Sequence, residues 1–121
     1  MNLILEFEKN KFDVSKEDKN TVNPIFGQSL LLWLKQRAGA GIDLSEPDDE
    51  DWGWCSDLNW KSRSYLLGAA SDDGKTWIFQ MQKHRSMKEK ILGKEKFSED
   101  DEAWQFFLDI IRSEDSFLIV D

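Results

Sequence analysis

Leu3, Leu5 and Phe7 alternate with Ile4, Glu6 and Glu8, the period of a strand with one buried face. A polar stretch from Lys9 to Asn20 follows, anchored only by Phe12 and Val14, and reads as a loop or a short strand extension. Asn23-Pro24 then offers an N-cap with proline at the first helical position, where its missing N–H costs nothing. This predicts a helix from Pro24 to about Arg37. Ile25, Phe26, Leu30, Leu31, Trp33 and Leu34 would form its apolar arc, Lys35 and Arg37 would complement its C-terminal end, and Gly39 and Gly41 would stop it.

From Ile42 to Asp51 the apolar period vanishes, and six of the ten residues are carboxylates, so a solvated connection is expected. Trp52, Trp54, Leu58 and Trp60 next alternate with Gly53, Cys55, Asp57 and Asn59, which predicts a strand whose tryptophan face also carries Ser56. Turn residues between Asn59 and Arg63 lead into a second strand, Tyr65 to Ala70. Ser71-Asp72-Asp73-Gly74 gives a hairpin signal, and Trp77, Phe79 and Met81 line one face of a third strand. Arg85 to Lys96 is basic, with helical propensity broken at Gly93, and predicts a loop with a short helix. Ser98 before Glu99, Asp100 and Asp101 reads as a cap. Trp104, Phe107, Leu108 and Ile111 follow at i, i+3, i+4 and i+7, predicting a final helix from about Glu99 to Ser113. Phe117 to Val120 is either a short terminal strand or a docked tail.

The order β-α-β-β-β-α, with that C-terminal strand as an addition, places the chain in the α+β class. The expectation is a mainly antiparallel sheet with two principal helices packed on one face and the other face left for binding. No Gly/Pro/Ser-rich linker divides the 121 residues, which suit one domain spanning 1–121. Such layouts serve many functions, so the fold by itself names none.

Composition narrows the classes. Six Trp and eight Phe supply large apolar surfaces, roughly 150–250 Å² each when enclosed, and argue for a packed fold despite 33% charged residues. The net charge of −8 repels phosphate backbones and anionic lipid, so direct general nucleic-acid binding and membrane association are not expected. Met1 to Glu6 carries no basic n-region, its apolar run is short for a signal peptide, and no segment reaches the roughly 20 apolar residues of a membrane span. Cys55 is the only cysteine, which excludes an intrachain disulfide and suits a reducing, cytoplasmic compartment.

Chemistry-bearing motifs are sparse. The carboxylates from Asp43 to Asp51 invite calcium, but Asp48 to Asp51 are contiguous and Trp52 stands where an EF-hand loop needs glycine. Neither a metal nor any other cofactor is expected. Gly39-x-Gly41 follows a helix, where a dinucleotide fingerprint must follow a strand. His84 is the sole histidine, flanked by Lys83 and Arg85. With Cys55 and Asp57 it is the only set from which a nucleophile and base could be drawn, and no catalytic residue is assigned. A lone internal cysteine is more often a small packing residue, and most of the tryptophans are accounted for as core. Lys83 to Lys96 holds six Lys or Arg and two Glu, a formal +4 against the chain's −8, so the remainder carries −12. That strip would either bind phosphate or pair with the protein's own acidic stretch.

The candidate partner-binding residues are therefore Asp48, Asp49, Glu50, Asp51 and Trp52, four carboxylates at an aromatic edge. The series Asn23-Pro24-Ile25-Phe26-Gly27-Gln28-Ser29, Glu50-Asp51-Trp52-Gly53-Trp54, Tyr65-Leu66-Leu67-Gly68 and Arg85-Ser86-Met87-Lys88-Glu89-Lys90 resembles a family of small uncharacterised bacterial cytoplasmic proteins. That resemblance implies no activity and no site residues. In size and acidity the chain is also similar, as a class, to toxin-immunity proteins. The expectation is a non-enzymatic module that engages a basic protein partner, of the immunity or inhibitor kind. The alternatives are a small-ligand-binding protein or enzyme that uses the aromatic sheet face, and an acidic nucleic-acid mimic.

Overall fold

The alternation at the start of the chain becomes β1 (Asn2–Phe7), and the four later apolar periods become β4 (Gly53–Trp60), β5 (Arg63–Ala70), β6 (Thr76–Lys83) and β7 (Phe117–Val120). Between them lie α1 (Gln28–Ala38), β2 (Asp43–Leu44), β3 (Asp48–Glu50), α2 (Met87–Leu92) and α3 (Glu102–Arg112). This computed structural model describes residues 1–7, 12–20, 23–114 and 117–120; Glu8 of the alternation, residues 9–11 of the polar stretch and the side chains of Asn2, Leu3 and Phe7 lie outside the described residues.

All pairings are antiparallel, in the order β2-β4-β5-β6-β1-β7, with β3 also beside β4. Strands β4, β5 and β6 are the meander expected from the sequence. The β4–β5 reversal uses Lys61 and Ser62, both with left-handed backbone (φ 45° and 68°), as a two-residue hairpin turn demands. The N-terminal strand then pairs with β6 and the C-terminal strand with β1, so the sequence-distant ends complete the sheet.

Period-2 burial sorts the sheet into two faces. Leu5, Trp54, Ser56, Leu58, Tyr65, Leu67, Trp77, Phe79 and Met81 are buried on one. Leu30, Leu31 and Leu34 of α1, with Trp104, Phe107 and Ile111 of α3, cover that face. The Trp104 indole lies parallel to the Phe79 ring at 6.2 Å, and Phe97 meets Trp104 edge-on. The fold is thus α+β, with the two principal helices on one side of a mainly antiparallel sheet.

Three expectations are corrected. Ile42 to Asp51 is not a plain connection: Asp43–Leu44 and Asp48–Glu50 pair with β4, because an edge strand needs only its backbone to match and tolerates charged side chains. Helix α1 begins at Gln28, not Pro24. Asn23 instead turns toward the β3–β4 reversal, donating through Nδ2 to the Asp51 carbonyl, and Phe26 bridges to Ser71. The helix is capped from a distance, since Glu17 accepts from the backbone N–H of Gly27 (3.0 Å), Gln28 (3.1 Å) and Ser29 (3.1 Å). Helix α3 begins at Glu102, capped by Asp101 rather than Ser98, with Asp101 Oδ1 accepting from Ala103 N and Trp104 N. Among the described residues no helix is long and apolar enough to cross a membrane.

Candidate functional site

The acidic stretch and Trp52 converge on the sheet face that no helix covers among the described residues. Glu50 pairs with Gly53, so Asp51 and Trp52 form a two-residue turn. Trp52 is therefore outside the strand, and the reversal carries it to the face opposite Trp54, a correction to the single tryptophan face expected from the alternation. Two glycines make this placement fit. A Cβ at Gly53 would lie 2.4 Å from the Ala69 carbonyl oxygen, and its φ of 149° suits glycine. A Cβ at Gly68 would lie 2.6 Å from the Trp52 ring, so the indole occupies the space that a side chain there would fill.

Strand parity then places the rest. Asp48 faces the same side as its partner Cys55, Glu50 the same side as Gly53, and Asp57 lies two residues further along β4. Asp43, which accepts from Asn59 Nδ2 at 3.0 Å, shares this face as well. Asp49 pairs with Trp54 and so points toward the helix-bearing side, while Asp51 is exposed in the turn. The predicted quartet is thus divided: Asp48 and Glu50 share the open face with Trp52, and Asp49 does not. Buried Asn20 fixes the hairpin from behind, donating through Nδ2 to the carbonyls of Glu50 (3.1 Å) and Gly53 (2.9 Å).

Toward the other edge one row of the open face is apolar, between rows that hold Gln80 and the Glu6–Thr76 pair. Ala70, Ile78, Ile4 and Val120 stand in register across β5, β6, β1 and β7, and Ile4 (40%), Ile78 (45%) and Leu118 (57%) are exposed. Beside Trp52 a groove of about 350 Å³ is walled by Ile25, Trp52, Ala70 and Ile78, with Asp72 and Asp73 at its rim. That is the lower end of the roughly 300–1,000 Å³ typical of small-molecule pockets, enough to seat one anchoring side chain. Sequence reasoning misses this groove because the pattern puts Ile25 in a helix and marks only the Trp77, Phe79 and Met81 face of the third strand, leaving Ile78 unread. The exposed alternates Ile4 and Ile78 were the available signal.

The Cys55–Asp57–His84 set does not assemble. His84 N bonds to Ser64 O, whereas Cys55 lies opposite Gly68, four positions along β5, or about 13 Å at ~3.3 Å per residue. Partial burial, then the charges of Glu50, Asp57 and Asp48, push the Cys55 thiol up to about 11, and Sγ lies 3.9 Å from Glu50 Oε1. A thiol held protonated in an acidic setting is a poor nucleophile. Among the described residues no group of three or more His, Cys, Asp or Glu is arranged to hold a metal ion.

Of the basic segment, Lys83 is engaged elsewhere. Lys83 pairs with Glu95 (2.9 Å) and Asp101 (3.4 Å), and Asp101 also accepts from the Tyr65 hydroxyl (2.9 Å). Burial and this acidic neighbour raise the Tyr65 phenol well above its ordinary range. Arg63 holds Glu89 through two hydrogen bonds, and that contact, with the Ser86 cap, draws the Glu89 carboxyl down to about 2. These ion pairs run to Glu95, Asp101 and Glu89, not to the acidic stretch. No protein-family model, curated protein or solved structure matches the chain.

Proposed function

We propose that the chain is a non-enzymatic, cytoplasmic protein-binding module of the inhibitor or immunity kind, which engages a basic protein through its open sheet face. The observation that carries this reading is the position of Trp52: its ring lies on Gly68, with Asp48, Glu50 and Asp57 on one side and an apolar groove on the other. Carboxylates at the edge would steer a cationic surface, and an apolar side chain seated beside Trp52 would supply much of the affinity. The same groove favours, as a second reading, a small planar or aliphatic ligand.

The test is association with a basic protein captured from the native cell. Neutralising Asp48, Asp49, Glu50 and Asp51 together should slow association and flatten its salt dependence, because exposed pairs act mainly on encounter rate. Trp52→Ala should instead speed dissociation. Unchanged kinetics in both variants would overturn the proposal, and saturable binding of a small molecule quenching Trp52 would support the second reading.

A further inference from the structure

Helix α2 buries none of its residues, yet it is held firmly. Ser86 and Glu89 form a reciprocal capping box, Gly93 closes the C-terminus in a left-handed conformation, and Arg63 grips Glu89 from β5. A free six-residue helix would not persist in water, so these contacts maintain a shape that packing does not require. What it presents is apolar: Met87 (73% exposed) and Ile91 (77%) lie one turn apart, with Leu92 (54%) beside them. Lys88, Lys90, Lys94 and Lys96 surround them, all exposed. The result is a basic-rimmed apolar knob.

The open face is its chemical complement, an apolar groove at Trp52 flanked by carboxylates. One molecule cannot join the two. Helix α2 is tethered at Arg63, where β5 begins, and the groove lies at Ala70, where β5 ends, about 23 Å away at ~3.3 Å per residue. We propose that α2 of one copy docks into the Trp52 groove of a second copy, a head-to-tail contact in which Met87, Ile91 or Leu92 fills the groove and the lysines meet Asp48, Glu50, Asp72 and Asp73. This rests on the open face being a docking surface, and makes a second copy a competitor for the basic partner there. A contact between two different patches propagates unless symmetry closes it.

Sedimentation velocity, from micromolar to near-millimolar protein at low and high salt, tests this. Wild type should exceed monomer mass as concentration rises and revert with salt. Met87→Glu with Ile91→Glu, and separately Ile78→Glu, should each remain monomeric, while Leu32→Glu, an exposed apolar site on α1, should behave as wild type. Mixing the α2 variant with the Ile78 variant should restore a complex that stops at two chains, since each retains one half of the contact. A monomeric wild type, or no complex in that mixture with both variants folded by circular dichroism, would overturn the inference. A monomeric wild type that still binds the basic partner would remove this inference alone. Self-association in a protein that binds no basic partner would remove only the proposed function.

Discussion

Gly68 and Cys55 face each other across β4 and β5, and both answer to Trp52's side of the sheet. Glycine within a strand ordinarily weakens it, so gain would be expected from alanine on propensity alone. Here the added methyl would meet the indole at 2.6 Å, and Gly68→Ala should lose roughly 1–3 kcal/mol and shift the Trp52 emission as the ring is displaced. Denaturant titration with fluorescence detection decides; a stabilised variant would mean that the ring is not seated there. Cys55 should alkylate slowly at neutral pH, its rate climbing toward pH 11. Because the folded thiol pKa is raised from 9.0 to about 11, the folded state holds its proton more tightly, and this contribution to stability fades as pH rises through that window. Rapid iodoacetamide labelling at neutral pH would contradict it. Trp52 also marks a limit of pattern reading: it is itself one of the two turn residues, and alternation cannot register that a tryptophan two positions before Trp54 precedes the strand rather than belonging to it.

At the scale of elements, β4, β5, β6 and α3 follow from period alone, because each buries one regular face. Starts of helices were harder to read, since capping groups came from outside the local sequence. Asn23-Pro24 has the composition of an N-cap, but Asn23 serves the acidic turn while Glu17, ten residues before Gly27, satisfies the orphan donors of α1. Glu17→Ala should therefore cost about 0.5–2 kcal/mol and raise amide exchange in the first turn of α1. Unaltered exchange at Gln28 and Ser29 would show that the cap is dispensable. Strands β2 and β3 were invisible for another reason: β2 is two residues long with Leu44 as its one apolar position, and β3, paired through its backbone, is entirely acidic.

For the whole molecule, one buried cluster joins α1, α3 and five of the seven strands, including residues from Leu5 to Ile111. We expect one cooperative unit. Tryptophan emission and far-ultraviolet dichroism should trace coincident unfolding curves, and two separated transitions would refute this. The charge division carries the candidate site at this scale. The sequence composition revealed an acidic chain with a basic strip, but which side chains share a surface depended on strand parity and register. Asp49 left the predicted group by parity, and Ile78 and Ile4 joined it by register.

The pairing of β1 with β7 also fixes how the molecule would answer to force. Ile4 stands opposite Val120 and Phe7 opposite Phe117, so residues 1 and 120 lie at the same end of an antiparallel pair. Antiparallel ladder bonds run perpendicular to their strands, and tension applied through those two positions would open them one after another rather than load them together. The sheet would yield at low force by peeling β7 away first, whereas pulling between β4 and β6 would meet the meander in a different direction. A tether anchored at these ends would act as a soft mechanical fuse.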